Sequence, residues 1–311
     1  MEFRSLDSCL RLDQCAFVKQ KRLSLSQLRA IEAVASRRNF SDAAGLLGVS
    51  QPSVSNHVTA VESRFGMQLF ERRGHQAVQS RELEQLLPKL RTILTLVEEL
   101  EGEMEGRRAL ETGHLRVGYS TYQVAVPILT SFMQRFPNVQ VEARSMASSD
   151  LVNRLESGDL DVVCITAREV PGQMSGICLR DMRIVLAVPE THPFATKRSV
   201  TLKDLAGQPL IQREVTSNTR KLLEARAALA RVPLTTILAV GSWGSIVEMV
   251  RAGVGLGIGL DVEVDDVPGI VRVELEDKSL TASQFLVYLP ERRVVSAVQA
   301  FLSTASELCP R

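Results

Sequence analysis

The stretch SDAAGLLGVSQPSVSNHV, Ser41–Val58, decides how the N-terminal part of the chain is read. Ser41 reads as the N-cap of a short helix, Asp42 to Leu47, with Ala43, Leu46 and Leu47 facing inward and Gly48 as the left-handed stop. A second helix opens at Ser50, and Pro52 is tolerated in its first turn, where a missing N–H costs nothing. Val54, Val58, Val61 and Phe65 keep a 3-to-4 spacing and are expected to bury one face. That leaves Gln51, Ser53, Ser55, Asn56, Thr59 and Glu62 outward, with His57 at the edge. Surface helices usually carry Lys and Glu; this one offers mainly uncharged hydroxyls and amides. Two short helices about a glycine turn, the second with such a face, fit a helix-turn-helix over about residues 40–59.

The flanks extend that reading. A preceding helix starts near Ser26, with Leu28, Ile31, Val34 and Ala35 on one stripe, and ends near Arg37, Arg38 and Asn39. After Gly66, LFERRGHQAVQS reads as two short strands about Gly74, a wing that closes a DNA-binding domain over 23–80. The whole chain has a formal net charge of +1. Between Lys19 and Ser80, however, Lys19, Lys21, Arg22, Arg29, Arg37, Arg38, Arg64, Arg72 and Arg73 face only Glu32, Asp42, Glu62 and Glu71. Positive charge is therefore concentrated in the segment that would meet phosphates. Gln51, Pro52, Ser53, Ser55, Asn56 and His57, with Ser41 and Arg64, form the candidate DNA face, since short donors and acceptors suit base edges in a major groove. Arg72 and Arg73 would clamp phosphates or enter the minor groove; a surface salt bridge accounts for either arginine almost equally well. Residues 1–22 lack a clear period and read as an arm.

From 81 to 110 a different period takes over. Leu83, Leu86, Leu90, Ile93, Val97, Leu100 and Met104 are spaced 3, 4, 3, 4, 3, 4, the seam of a coiled coil, and a homodimer is its natural consequence. Pro88 is expected to disturb the first turn and a half, leaving Lys89 to Glu105 regular. From 111 to 311 strands alternate with helices, which implies βαβ units and parallel sheets. The order predicts two α/β lobes with a cleft between them, lobe I over 111–168 and 268–311 and lobe II over 169–267. In such sheets ligands bind beyond the carboxyl ends of the strands, where this chain carries Ser120 and Thr121, Ser148 and Ser149, and Thr166 with Arg168. Thr216 and Ser217, and Ser242 with Trp243, begin helices on the second lobe. Converging hydroxyls and helix N-termini favour an anion, to which Arg168 or Arg213 would add charge. N-capping explains any single hydroxyl as well, surface pairing either arginine, and core packing the tryptophan.

Several classes are opposed. No apolar run approaches the length of a membrane-spanning helix, and no compact apolar leader with a small-residue cleavage site precedes the domains, so a cytoplasmic protein is expected. The five cysteines are scattered and the four histidines have no metal-ligand spacing; neither a disulfide framework nor a metal site is expected. GVGLGIG lacks the order of a dinucleotide loop and follows a helix, so its glycines are read as close packing. No nucleophile motif is present, and neither catalysis nor a cofactor is expected. A solute-binding protein without a regulatory role and an α/β enzyme are the rival classes.

LRAIEAVASRRNFSDAAGLLGVSQPSVSNHVTAVESRFGMQLFERR resembles the winged helix-turn-helix of LysR-type transcriptional regulators. The resemblance continues through the linker helix, the HPFA turn, LKDLAGQPLI and VRAGVGLGIG, and covers nearly the whole chain from Leu23. It implies an effector domain like periplasmic binding proteins, a tetramer built from dimers, binding to double-stranded promoter DNA and action on RNA polymerase. LIQREVTSNTRKLLEA and FLVYLPERR are similar to the subgroup associated with aminoethylphosphonate regulation, which implies a small phosphonate or carboxylate effector. The chain departs from the family at Asn56, where many members carry Arg. It departs also in VQSRELEQ at the linker entry, and in lacking a Pro after the glycine-rich strand. Asn at that position points to adenine, where Arg prefers guanine.

Overall fold

Helix α1 (Leu25–Arg37) is fixed at its start by reciprocal bonds: the Ser24 hydroxyl accepts from Gln27 N, and the Gln27 side chain accepts from Ser24 N. This capping box satisfies two amides that a helix end leaves unpaired. Leu28, Ile31, Val34 and Ala35 are buried as the period requires. The computed structural model describes residues 22–74, 76–105, 110 and 113–309, without the side chain of Arg72. The expected arm therefore lies outside the described residues, Arg22 apart.

Helix α2 (Phe40–Leu47) begins earlier than the sequence implies, because Asn39 is its N-cap. The Asn39 Oδ1 accepts from Ser41 N at 2.7 Å and Asp42 N at 3.1 Å. Ser41 sits in the first turn instead. Ala43 and Ala44 are the buried pair, whereas Leu46 is 52% exposed. Gly48 supplies the expected left-handed residue at φ 66°. Helix α3 (Gln51–Phe65) follows, and its Ser50 N-cap makes no side-chain bond. Val54, Val58 and Val61 are buried, but Phe65, the last residue of the helix, is 51% exposed. Strands β1 (Phe70–Arg73) and β2 (Gln76–Gln79) form the antiparallel wing, with Gly74 at φ 64°.

Helix α4 (Arg81–Met104) continues as one helix through Pro88, so it begins well before Lys89. The Ser80 hydroxyl accepts from Leu83 N and caps its start. The chain divides into two compact units at Glu84/Gln85, within this helix. In the C-terminal unit one face of α4 is docked. Arg91 donates to Ser157 O and to Asp159 Oδ1, each at 2.9 Å, and the Glu99 carboxylate accepts from Ser296 N and Oγ. The expected seam is accordingly divided. Leu83 and Leu90 are buried within the chain and Val97 is half-buried, whereas Leu86, Ile93, Leu100 and Met104 are exposed; Leu87, outside the seam, is buried.

The C-terminal unit continues through β3 (Gly113–Tyr119), α5 (Tyr122–Arg135), β4 (Val139–Ser145), α6 (Ser148–Glu156), β5 (Val162–Ala167) and β6 (Ser175–Pro189). Next come β7 (Ser199–Val200), β8 (Pro209–Gln212), α7 (Asn218–Leu229), β9 (Thr235–Ala239), α8 (Trp243–Arg251) and β10 (Leu256–Leu260). Last are α9 (Asp261–Val264), β11 (Ile270–Leu275), β12 (Thr281–Tyr288) and α10 (Ser296–Leu308). The strand order is β4-β3-β5-β12-β6-β10-β8-β9, and β11 pairs with β6 and β7. Strand β6 serves both lobes: Ser175–Arg183 pairs with β12, and Ile184–Pro189 with β10 and β11. The sheets are mixed, not purely parallel, because β12 is antiparallel to β5 and β6, and β10 to β6. Strand β12 and α10 return to lobe I as expected. Strand β11 does not; it lies in lobe II, so the boundary assigned at 268 falls after Leu275.

Lobe I is layered. Val162 and Cys164 face Ile128 and Phe132 of α5 and Phe301 of α10, while Val163 and Ile165 face Leu151 and Leu155 of α6. Both faces of β5 are thus covered, which explains its continuous apolar run. In lobe II, Trp243, Ile246 and Val250 of α8 pack on Val185, Ala187 and Ile211. The glycine-rich strand is close-packed as expected: a Cβ on Gly255 would lie 2.6 Å from Pro209 O, and one on Gly259 2.6 Å from the Trp243 ring.

Candidate nucleic-acid interface and effector cleft

On α3 the exposed residues are Gln51, Pro52, Asn56, Thr59, Ala60, Ser63 and, at its end, Phe65; Ser53, Ser55 and His57 are half-buried at the margins. Pro52, Asn56, Thr59 and Ser63 recur at 4, 3 and 4, so they form one stripe opposite the buried valines. Asn56 lies within that stripe with its amide exposed. Glu62, expected outward, turns back: its Oε1 accepts from Leu69 N at 2.8 Å and Phe70 N at 3.3 Å, tying the end of α3 to the first wing strand. The wing is tied to α1 by Ala77 N donating to Arg38 O at 2.8 Å and Gln79 Nε2 donating to Ala35 O at 3.1 Å. Arg38 adopts φ 54° to present that carbonyl. These bonds hold the wing and the polar helix face as one surface. Arg73 stands exposed on the wing and donates to Glu71 at 3.2 Å, and the Arg64 guanidinium donates to Arg22 O. Arg72 lies on β1, with its side chain outside the described part.

The cleft in the C-terminal unit gathers Ser120, Thr121, Ser148, Thr166, Arg213 and Ser217 around a cavity of about 10 Å³, room for roughly one water. Thr166 is the hub. Its amide donates to Ser148 Oγ at 3.2 Å, its hydroxyl donates to Gln284 Oε1 at 3.1 Å, and its carbonyl accepts from Asn218 Nδ2 at 2.7 Å. The Ser120 and Thr121 hydroxyls each lie 3.4 Å from Thr166 Oγ1. Asn218 belongs to lobe II and Thr166 to lobe I, so that bond clasps the lobes. Ser149 adds a second clasp, donating to Thr216 O at 3.0 Å. Ser149 and Thr216 thus bridge the lobes and do not line the cavity.

Other expected site residues stand elsewhere. Arg168 is exposed and outside the cavity lining, as is Ser242. Trp243 is core: it is 4% exposed and its Nε1 donates to Glu263 O at 2.8 Å. A bulky ring at a helix start is better buried against Gly259 than left in a polar cleft.

Asn218, Thr219 and Glu263 line the cavity and were not singled out from sequence. Glu263 is 4% exposed. Its Oε2 accepts from Leu260 N at 3.0 Å, and its Oε1 lies 3.6 Å from Arg213 Nη1. Burial pushes its carboxyl above the ordinary range, partly offset by the Leu260 amide and the charge of Arg213. Arg213 is 11% exposed and lies 3.5 Å from Glu214, yet its Nε has no hydrogen-bond partner. The half-buried guanidinium, with this donor unused, stands among the cavity's hydroxyls and two acids, Glu214 and Glu263.

A winged helix-turn-helix with a polar helix face, joined by a long helix to a two-lobed α/β domain with such a cleft, defines a DNA-binding transcriptional regulator with an effector-binding domain. The chain belongs to the LysR family: residues 25–81 match the bacterial regulatory helix-turn-helix protein, lysR family, and residues 108–310 the LysR substrate binding domain. It is 27% identical over 285 residues to the RuBisCO operon transcriptional regulator of Allochromatium vinosum, covering 90% of this chain and 94% of that one. A full-length OxyR variant from Pseudomonas aeruginosa has the same fold, with a TM-score of 0.75 at 20% identity over 93% of this chain and 96% of that one. The regulatory domain of CcmR from Synechocystis PCC6803, solved in complex with 2-PG, matches with a TM-score of 0.59 at 18% identity, over 64% of this chain and 98% of that one. No helix among the described residues is long and apolar enough to cross a membrane.

Proposed function

We propose that this regulator is controlled by a small anion bound in the cleft between lobes I and II. The observation that carries the reading is the lining: Arg213, half-buried with no hydrogen bond from its Nε, shares the cavity with Ser120, Thr121, Ser148, Thr166 and Ser217. Binding an anion there supplies the hydrogen bond that Nε lacks, which Glu214 at 3.5 Å approaches without making, as Glu263 does at 3.6 Å from Nη1. The CcmR domain, of like fold, was solved with 2-PG. Because the cavity holds roughly one water, an effector must part the two clasps, Asn218 to Thr166 and Ser149 to Thr216, and so acts on the arrangement of the lobes. It shifts that equilibrium only by its differential affinity for the two states.

On the DNA side, α3 enters the major groove of promoter DNA with Asn56 at a base edge, and the wing arginines meet the backbone. The exposed half of the α4 seam pairs with a second copy, and dimers associate into tetramers. The protein works in the cytoplasm, contacts RNA polymerase and catalyses no reaction. The experiment is a thermal-shift screen of the full chain against small carboxylates, phosphonates and amino acids. A ligand at about 100 times its Kd adds about 2.7 kcal/mol of stability. The reading expects hits among anions that are lost in Arg213→Met. Anion hits that survive this substitution, or no hits at all, overturn it.

A further inference from the structure

The cleft contains a carboxylate where an anion site would be expected to exclude one. Glu263 lines the same cavity as Arg213, and its free oxygen Oε1 stands 3.6 Å from Arg213 Nη1. That separation is too long for a hydrogen bond. Its other oxygen is committed to the backbone, accepting from Leu260 N at 3.0 Å. The carboxyl therefore cannot simply swing aside without leaving a buried amide unpaired. An entering anion meets Oε1 directly. An entering anion and Glu263, itself 4% exposed, would share with Glu214 one guanidinium, which is unfavourable unless one of them takes a proton.

Resting on the reading of the cleft as an anion site, we propose that Glu263 is the neutral acid in the effector-bound state, so that binding takes up one proton from solvent. The proton sits on Oε1 and is donated to an oxygen of the anion, while Arg213 donates to another. A buried carboxylic acid kept neutral to donate a hydrogen bond to an oxyanion is established chemistry in enzyme sites. The surroundings of Glu263 favour it. Burial is the largest influence and disfavours the charged form; of the neighbouring charges, Arg213 opposes this and Asp261 on the same helix reinforces it. Glu214 flanks the far side of the guanidinium at 3.5 Å and competes for it. Strands β6, β10 and β11 and helix α5 also pack on α9 and carry Arg180, Asp181 and Arg183, Arg272 and Glu274, and Arg135; the charges that bear most on the carboxyl are those of Arg213 and Asp261. Glu263 thus makes anion affinity dependent on pH and selects against ligands that cannot accept its hydrogen bond.

The test is isothermal titration of the full chain with acetate and with sulfate, neither of which titrates between about pH 6 and pH 8, in buffers of different ionisation enthalpy. Where free Glu263 is ionised, the wild type should take up a proton on binding, and its affinity should fall by up to about tenfold per pH unit. Glu263→Gln keeps an oxygen for Leu260 N and an N–H for the anion. It should bind without proton uptake, with a flat pH profile, and about tenfold more tightly than wild type at the alkaline end. Binding that is lost in Arg213→Met yet proceeds in wild type without proton uptake keeps the anion cleft and overturns the role of Glu263. Tighter binding of glycine than acetate, abolished in Glu263→Gln, also overturns it, because the carboxylate then holds an ammonium. Absence of binding by wild type and Glu263→Gln alike overturns the cleft reading and the inference together.

Discussion

Asn56 carries the sharpest consequence of a single residue. Its side chain stands in the exposed stripe of α3, clear of the buried valines, so removing it should leave the fold intact. Asn56→Ala should cost about 1–3 kcal/mol at one base position and relax specificity there. Quantitative binding to operator variants checks this; an equal loss over all sequences would mean that Asn56 touches phosphate. Asp161 is the counterpart for stability. It is 1% exposed, accepts from Arg116 N at 2.8 Å and from the Arg116 guanidinium at 2.8 and 3.2 Å, and also accepts from Arg292. Burial pushes its carboxyl up, but the bonds and charges of Arg116 and Arg292 outweigh this and hold it below the ordinary value. A depressed carboxylate stabilises fully above its unfolded pKa of about 3.9, and that stability is lost as pH falls through the folded value. Asp161→Asn should cost about 3–5 kcal/mol near neutrality. Urea unfolding should show the gap to wild type closing below about pH 4. The exposed stripe of α3 was legible because exposure follows the helical period. Glu263 and Asn218 were not, because they meet Thr166 and Arg213 only through contacts between distant segments.

At the scale of elements, α4 shows what periodicity can and cannot decide. The seam Leu83–Met104 was legible as apolar spacing, but spacing does not say which partner covers each position. Arg91 and Glu99 answer that: they fasten one face to the Ser157–Asp159 turn and to the start of α10. Leu90 is thereby turned inward, and Leu86, Ile93, Leu96 and Leu100 remain exposed on the other face. That residual stripe is the proposed dimer seam. Replacing Ile93 and Leu100 together by Asp should convert dimer to monomer by light scattering, because each apolar side chain contributes about 1.5–3 kcal/mol when buried. The docked face should be unaffected, and circular dichroism should be unchanged; a dimer surviving the double substitution removes α4 as the seam. The first half of β6 is not legible in the sequence for a related reason. SGICLRDM is partly exposed and mixed in polarity, and it becomes a strand only because β12 pairs with it. Strand β11 is likewise not legible, being recruited by β6 and β7.

For the molecule as a whole, the two-unit plan and both lobes follow from changes of period along the chain, from helical to heptad to alternating strand and helix. The order of strands within the sheets does not, because pairing of β12 between β5 and β6 joins segments far apart in sequence. That feature bears on how the protein is made. Lobe I is begun by β3, α5, β4, α6 and β5, yet the strand that joins β5 to β6, β12, is the last strand of the chain and one of its covering helices, α10, comes later still. Translation at ~5–20 residues per second places roughly ten seconds between the emergence of Ala167 and that of Thr281. During that interval β5 presents an unpaired apolar edge, while lobe II is completed apart from the flank that β12 will join. Biosynthesis therefore favours assembly of the inserted lobe before the one that encloses it. Ribosome stalling in this window would leave a half-built sheet for chaperones to shield.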